Sequence, residues 1–291
     1  MPDVLTLKEA AAYLRLSERA LYDLARAKRL PAAQLGGKWL FPSGALQGWL
    51  AAEAGEGTAH PAPPPILAGS HDPLLDWAVR QSGCGLALRA GGSLDGLAAL
   101  AEGQAVAAAT HLLDPDSGAF NEPAARDLLA GQPIVGLVWA WRDQGLLLAP
   151  GNPAGILGVA DLARPGLRVI GRQPRAGSHI LLMHLLAEAG LRLEAIGFLA
   201  DPALSEDEVA AAVAEGRADC GFGIRAEATS RRLDFVPLLR ERFDVVMPRR
   251  QYFESPLQTL FGFARSPAFA ARAARMGGYD IGETGRVAFN L

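Results

Sequence analysis

Apolar positions recur at two different spacings along this chain, and the change of rhythm divides it in two. In the first fifty residues they come in short helical bursts. Thr6 and Glu9 form a capping box, in which hydroxyl and carboxylate each take up a backbone N–H of the first turn, so a short helix is expected from Leu7 to Leu14. Ser17 supplies a second N-cap ahead of Glu18–Arg26, where Ala20, Leu21, Leu24 and Ala25 fall at helical spacing. Past Pro31, the runs Ala33-Gln34-Leu35 and Lys38-Trp39-Leu40-Phe41-Pro42 flank Gly36-Gly37. Two strand-like runs around glycines that tolerate positive φ predict a β-hairpin. Ser43 is expected to cap a last helix with Leu46, Trp49 and Leu50 on one side.

From Ile66 the rhythm becomes strand, Gly/Ser loop, helix. Ile66–Ala68 runs into Gly69-Ser70-His71-Asp72-Pro73 and a helical Leu74–Val79, and Gly85–Arg89 leads to Gly91-Gly92-Ser93 and a helix to Glu102. Ala105–Ala109 ends at Thr110-His111, Leu167–Ile170 ends in Arg172-Gln173-Pro174-Arg175-Ala176-Gly177-Ser178-His179, and Ala218–Gly223 follows another helix, Ser205 to Glu215. Repeats of this kind predict an α/β fold with mostly parallel sheets. Between the two patterns, Glu53 to Pro65 lacks bulky apolar residues and is rich in Gly and Pro, which reads as a linker.

Ligands of open α/β sheets sit beyond the carboxyl ends of the strands, where helix N-termini present unpaired N–H groups suited to an anion. Ser70, Ser93, Thr110 and Ser178 fall at such junctions. His71, His111 and His179 each follow one of these hydroxyls. They read as loop residues with satisfied hydrogen bonds, as cleft donors when protonated, or as transition-metal ligands when neutral. Phe120, Trp139, Trp141 and Phe253 are expected in the core, and Tyr252 at the cleft.

Charge sharpens the division. Residues 1–50 hold seven Lys and Arg against four Asp and Glu, a net of +3, so the remainder of a chain at −3 carries −6. A basic head on an acidic body suggests a polyanion partner for the head alone. No run reaches the length of a membrane span and the N-terminus lacks a secretory pattern, so a cytoplasmic protein is expected. Cys84 and Cys220 stand apart without CxxC spacing and are expected as small buried hydrophobes.

The head, LTLKEAAAYLRLSERALYDLARAKRLPAAQLGGKWLFPSGALQGWL, is similar throughout to the excisionase-like winged helix-turn-helix family in its EAA, S-x-R-x-(L/V)-Y, LP, GGKW and FP-x-x-x-L-x-x-W elements. The resemblance implies that Ser17, Arg19 and Tyr22 face DNA from the recognition helix and that Lys38 and Trp39 lie in the wing. Arg26, Lys28 and Arg29 are candidate phosphate contacts. The body resembles the type-II periplasmic-binding-protein superfamily, in its cytoplasmic branch associated with molybdate and molybdenum-cofactor proteins, through WRDQGLLLAPGNPAGILGVADLARPGLRVIGRQPRAGSH, EGRADCGFGIRA and FARSPAFAARAARMGGYDIGETG. That implies two α/β lobes, about 66–148 with 236–291 and about 149–235. Crossings are expected near Leu146–Asn152 and Leu233–Pro237, with a ligand between the lobes. By position, Arg172, Gln173, Arg175, Gly177, Ser178, His179, Asp219 and Gly221 join Ser70, His71, Ser93, Thr110, His111 and Tyr252 as candidate ligand residues. His179 stands where the family pattern ends in arginine, which weakens any transfer of ligand identity.

Motifs for enzymatic work are missing: there is no phosphate loop, no G-x-S-x-G elbow and no HExxH, and no cofactor is implied. The sequence therefore reads as a non-enzymatic, one-component transcriptional regulator that binds double-stranded DNA, most simply as a homodimer, and senses an oxyanion such as molybdate or tungstate. The alternative is a cytoplasmic ligand- or metal-binding protein of molybdenum-cofactor metabolism whose head serves DNA architecture or protein contact.

Overall fold

A computed structural model describes residues 4–53 and 62–291 of the chain; most of the Gly/Pro linker expected at 53–65 lies outside them. The chain divides into two compact units, Met1–Ala62 and Pro63–Leu291.

In the head, β1 (Val4–Thr6) leads into α1 (Leu7–Leu14), α2 (Glu18–Arg26), the hairpin β2 (Ala33–Leu35) and β3 (Lys38–Pro42), and α3 (Ser43–Glu53). The capping box closes as expected, with Thr6 N–H donating to the Glu9 carboxylate at 2.8 Å and Glu9 N–H to the Thr6 hydroxyl at 3.4 Å. β3 pairs with both β1 and β2 in a small antiparallel sheet. Leu5, Ala10, Ala11, Leu21, Ala25, Leu30, Phe41 and Leu46 bury a core that touches every helix and two of the strands. Leu50 is exposed and not beside Leu46 in that core.

The body is built on one curled sheet of nine strands. Its first half comprises β4 (Ile66–Ser70), α4 (Pro73–Ser82), β5 (Ala87–Gly91), α5 (Ser93–Ala101), β6 (Ala107–Thr110), α6 (Glu122–Leu128) and the long β7 (Ile134–Leu148). The second half runs through β8 (Val169–Ile170), α7 (Gly177–Glu188), α8 (Glu206–Ala214), β9 (Cys220–Ile224), α9 (Arg225–Arg231) and the equally long β10 (Asp234–Pro248). It ends with α10 (Arg249–Tyr252), α11 (Ser255–Phe263), α12 (Pro267–Met276), β11 (Tyr279–Asp280) and β12 (Val287–Asn290). Strand order is β5-β4-β6-β10-β7-β9-β8, with β11 and β12 also on β7.

This corrects the expectation of mostly parallel sheets. β4, β5 and β6 are parallel, as are β8 and β9, but every pairing of β7 or β10 is antiparallel. The reason is topological: β10 returns along β7 after the second lobe is complete, so each lobe carries one strand of opposite direction. The two crossings expected near Leu146–Asn152 and Leu233–Pro237 are the ends of the long strands β7 and β10. β7 and β10 pair almost without interruption from Ile134↔Pro248 to Leu148↔Asp234. The change of lobe falls inside that ladder, where β6 lies against Asp244–Val246 and β9 against Gln144–Leu148. Register irregularities between Pro237 and Leu239 and between Phe243 and Asp244 bracket it. Bulges of this kind bend a strand and increase its twist, which lets two lobes share one ladder.

Alternating side chains of the shared strands feed cores on both sheet faces. In the first lobe Trp139, Phe243, Val245 and Met247 pack with α4, α11 and α12, while Val246 and Ala108 pack with α5 and α6. In the second, Leu146 and Leu148 face α7 and Leu147 faces α8. Both cysteines are free and buried, and burial pushes the Cys220 thiol up to about 12.

Gly221 shows how tight the second lobe is. A Cβ there would stand 2.4 Å from Val209 Cγ1 and 2.7 Å from Ile170 Cγ2. Gly221→Ala is therefore expected to lose about 1–3 kcal/mol of stability through overpacking. Urea unfolding of the full chain measures this, and an unchanged midpoint would refute it.

Candidate functional site

Strand register alone brings the carboxyl ends of both lobes to one level. Thr110, the last residue of β6, lies opposite Asp244, and Ile224, the last of β9, lies opposite Gln144. Between them on the shared ladder sits the pair Arg142↔Glu241. The loops and helix N-termini that follow β4, β6, β8 and β9 therefore gather around residues 141–144 and 239–244, as the carboxyl-edge rule requires of a ligand cleft.

From the first lobe come Ser70, Ser93, Thr110 and His111, all buried. The Ser70 and Ser93 hydroxyls are 2.7 Å apart, and Ser93 Oγ accepts the His111 backbone N–H at 3.2 Å. Thr110 Oγ1 is buried with no hydrogen-bond partner among the described residues. The His111 imidazole stacks on Phe243, and its Nδ1 lies 2.8 Å from Glu241 Oε2.

The second lobe contributes the N-terminus of α7. A Cβ on Gly177 would stand 2.8 Å from His111 Cε1 and Nε2. A Cβ on Gly92, before α5, would stand 2.1 Å from the Arg175 carbonyl oxygen. Arg175 also forms an ion pair with Asp95 across the same gap. Both glycines exist because the lobes touch there; any side chain would hold them apart.

Behind this contact lies a buried charged network. The Arg142 guanidinium is 1% exposed and donates to Glu241 and, at 3.0 Å, to Asp72 Oδ2, while stacking over Phe243. Tyr279 donates its hydroxyl to the same Asp72 oxygen at 2.7 Å, and Gln144 Nε2 donates to Glu241 Oε1 at 2.8 Å. Burial alone would raise the Glu241 carboxyl, yet the Arg142 charge, His111 and the Gln144 amide hold it down at about 2. Burial would likewise lower the Arg142 guanidinium, but Glu241 and Asp72 raise it above its ordinary value.

Several buried polar atoms remain without partners among the described residues: Arg172 Nε and Nη1, Ser178 Oγ, Thr110 Oγ1, Gln144 Oε1 and Glu206 Oε2. Arg172 Nη1 and Glu206 Oε1 are 3.9 Å apart, an ion pair without a hydrogen bond. Glu206, the first residue of α8, is 2% exposed. Its Oε2 lies 2.8 Å from where a Gly223 Cβ would be, at the carboxyl end of β9. Native interiors leave few such groups unpaired, so their concentration here makes this the candidate ligand site.

The structure gathers Ser70, Ser93, Thr110, His111, Arg172, Gly177 and Ser178 at this level. His71 follows β4, half-buried, its Nδ1 unpartnered among the described residues, and Gln173 donates to the Leu204 carbonyl at 3.3 Å. His179 is half-buried in the first turn of α7, and burial lowers its pKa although a hydrogen bond to the Arg172 backbone works the other way. Arg175 lies at the rim, engaged by Asp95.

Three ligand-site assignments and one core assignment are corrected. Asp219 precedes β9 and accepts Arg168 N–H at 2.8 Å, which ties the amino ends of β8 and β9 together, away from the cleft. Gly221 is a packing glycine inside β9. Tyr252 sits near the Ile134↔Pro248 end of the ladder, against Phe253 and Phe261, and not at the cleft. Phe253, expected in the core, is 76% exposed. Among the described residues no group of three or more His, Cys, Asp or Glu side chains is arranged to hold a metal ion.

Asp72, Arg142, Gln144, Glu206 and Glu241 went unnoticed in the sequence. The signal for the hinge, the stretch of the shared β7/β10 ladder around Arg142 and Glu241, was present: WRDQ and RERFD each interrupt a long apolar run, and charges in the middle of buried strands demand partners. Glu206 follows the N-cap Ser205 and reads as an ordinary first-turn acid.

On the head, α2 presents Arg19, Tyr22 and Arg26 on one exposed face beside Leu7 and Glu18. Arg19 pairs loosely with Asp23 at 3.2 Å, both well exposed. Ser17 caps α2 through the Ala20 N–H at 3.2 Å. Tyr22 meets Trp39 edge to face at 6.4 Å, and Lys38 and Lys28 are exposed.

Removing Glu241 would leave Arg142 buried with half its countercharge. Glu241→Gln is expected to destabilise the chain by about 3–5 kcal/mol near neutral pH. Because the folded carboxyl titrates at about 2, below its ordinary 4.5, its stabilisation is present above 4.5 and lost as pH falls towards 2. Thermal melts across pH 2–7 should show the wild-type and variant curves converging at the acid end, whereas parallel curves would exclude the linkage.

Residues 76–265 match the model of the PBP superfamily domain, and residues 4–54 match that of a helix-turn-helix domain. YvgK of Bacillus subtilis (strain 168), described as uncharacterized, is 26% identical over 302 residues, covering 97% of this chain and 96% of its own. The sulfate-binding protein SubI from Mycobacterium tuberculosis H37Rv shares the fold with a TM-score of 0.51 at 17% identity, over 74% of this chain and 85% of that one. The regulatory domain of MetR, a LysR family regulator from N. meningitidis, does so with a TM-score of 0.50 at 13% identity, over 74% and 97%. No helix among the described residues is long and apolar enough to cross a membrane. With the match at residues 76–265 spanning most of an α/β body whose lobes meet over buried polar side chains, the chain, which also carries a helix-turn-helix head, belongs to the PBP superfamily.

Proposed function

We propose that this chain is a one-component transcriptional regulator acting in the cytoplasm, in which the head grips double-stranded DNA and a small polar ligand held between the lobes sets the DNA affinity. The observation that carries this reading is the coexistence of a helix-turn-helix with the row of unpaired buried polar atoms at the cleft. The likeness to a LysR family regulatory domain and to a sulfate-binding protein supports the pairing of this fold with regulation and with small anions. Molybdate or tungstate is the ligand suggested by the resemblance of the body, and their titration belongs among the first tests.

Lobe contact supplies the switch. A ligand shifts a conformational equilibrium only by binding one arrangement better than another, and a guest that spans the cleft's unpaired groups would favour the closed one. A single head offers few base contacts, so two copies on adjacent half-sites give the reach a specific operator needs.

Arg19 and Arg26, on the exposed face of α2, are assigned to phosphate or base contact. In electrophoretic shifts with the chain's own upstream DNA, Arg26→Ala is expected to lower the dependence of log K on log salt by about one unit if it meets a phosphate. Arg19→Ala is expected to weaken binding by at least ~1 kcal/mol. Absence of salt-sensitive DNA binding by the wild type would end the regulator reading. Gly92→Val, which obstructs closure against the Arg175 carbonyl, should fix the DNA affinity of the chain at one level whatever ligand is added. A variant that still responds would sever lobe closure from the output.

A further inference from the structure

The unpaired atoms of the cleft are of two kinds, and the mixture restricts what can bind. Arg172 Nε and Nη1 are donors, and Thr110 and Ser178 offer hydroxyls that serve either way. The first turn of α7 at Gly177 and Ser178 adds backbone N–H groups at the positive end of a twelve-residue helix. That side of the site suits anionic oxygens. Gln144 Oε1 and Glu206 Oε2, in contrast, can only accept, and both residues are buried. Glu206 stands within 3.9 Å of Arg172, so the acceptor and the donor cannot be separated into two sites.

An oxyanion without a proton presents lone pairs on all sides. Placed on Arg172 it would set its oxygens against the Glu206 carboxylate where little water remains to screen them, leaving Glu206 Oε2 without a hydrogen bond. A guest that donates one hydrogen bond to Glu206 while its anionic oxygens take Arg172 and Ser178 satisfies both sides. Resting on the reading of the cleft as the sensor site, we propose that its ligand is a small anion bearing its own hydrogen-bond donor, a protonated oxyanion or a hydroxy acid, with Glu206 as the residue that selects for that donor. The site would reject sulfate, molybdate and tungstate, which carry no proton near neutral pH, and this separates the proposal from the oxyanion preference suggested by the resemblance.

The experiment is calorimetric titration of the full chain at pH 7.5 with inorganic phosphate and glycolate, which carry a donor, and with sulfate, molybdate and acetate, which do not. Binding of phosphate assigns a protonated oxyanion, and binding of glycolate assigns a hydroxy acid. Either should exceed its donor-free counterpart by roughly tenfold to a hundredfold, the size of one hydrogen bond to a charged group. In Glu206→Gln the carboxamide can turn its NH2 to the ligand. The variant should therefore lose affinity for the donor-bearing anion and gain it for sulfate or molybdate. Should the variant fail to fold, the wild-type preference decides alone. Equal or tighter binding of sulfate or molybdate by the wild type, an unchanged preference in a folded Glu206→Gln, or no binding by any of the five anions would overturn the proposal. Electrophoretic shifts on the same preparations keep the two readings apart: intact DNA binding without donor preference removes only this inference, whereas loss of DNA binding removes the regulator and leaves the titration to judge the ligand.

Discussion

One buried guanidinium organises the body. Arg142 sits at the middle of the two longest strands, and its carboxylate partners come from different places: Asp72 from the head of α4, Glu241 from the opposite strand of the ladder. A cation so far from water is tolerable only with both partners and the Phe243 face in place, so the first lobe's loop and the shared strands must be assembled together. The same Glu241 orients His111, whose ring edge meets Gly177 of the other lobe. A chain of direct contacts thus runs from the core of one lobe through the hinge to the helix terminus of the other.

The hinge chemistry and the cleft chemistry are complementary in a physical sense. Around Arg142, Asp72 and Glu241 most polar atoms are matched, and Tyr279, whose phenol burial and Asp72 raise well above its ordinary pKa, remains a proton donor. At Gln144 on β7, and at Arg172, Ser178 and Glu206 of the second lobe, the matching stops. Satisfied networks are rigid, and unsatisfied ones hold free energy that a guest can recover. Rigid support beneath an incomplete polar surface is what a selective binding site needs, because the surface cannot relax to pair with itself.

Close backbone approach is the other constraint. Gly92 and Gly177 permit contacts that no side chain would, and they bring the N-termini of α5 and α7 together from the two lobes. Lobe contact therefore concentrates hydroxyls and N–H groups in a buried setting, which strengthens the polar interactions they make.

Much of this was legible in one dimension. Local rules sufficed for the head, because capping, turn glycines and helical spacing act within a few residues: Thr6 with Glu9, Ser17 with Ala20, and Gly36-Gly37 between paired strands all form as the spacing demands. Alternating strands, glycine loops and helices likewise determined the α/β class and placed Ser70, Ser93, Thr110 and Ser178 at or near strand-to-helix junctions. Only the tertiary structure decided that β7 and β10 form one ladder shared by both lobes, because antiparallel partners separated by about a hundred residues carry no local signature. It also decided that Asp219 ties strand beginnings, that Tyr252 lies at the far end of the ladder, and that Glu206, unremarkable as a first-turn acid, is buried beside Arg172. Burial and pairing of charges depend on what the rest of the chain brings to them, and no spacing along the sequence encodes that.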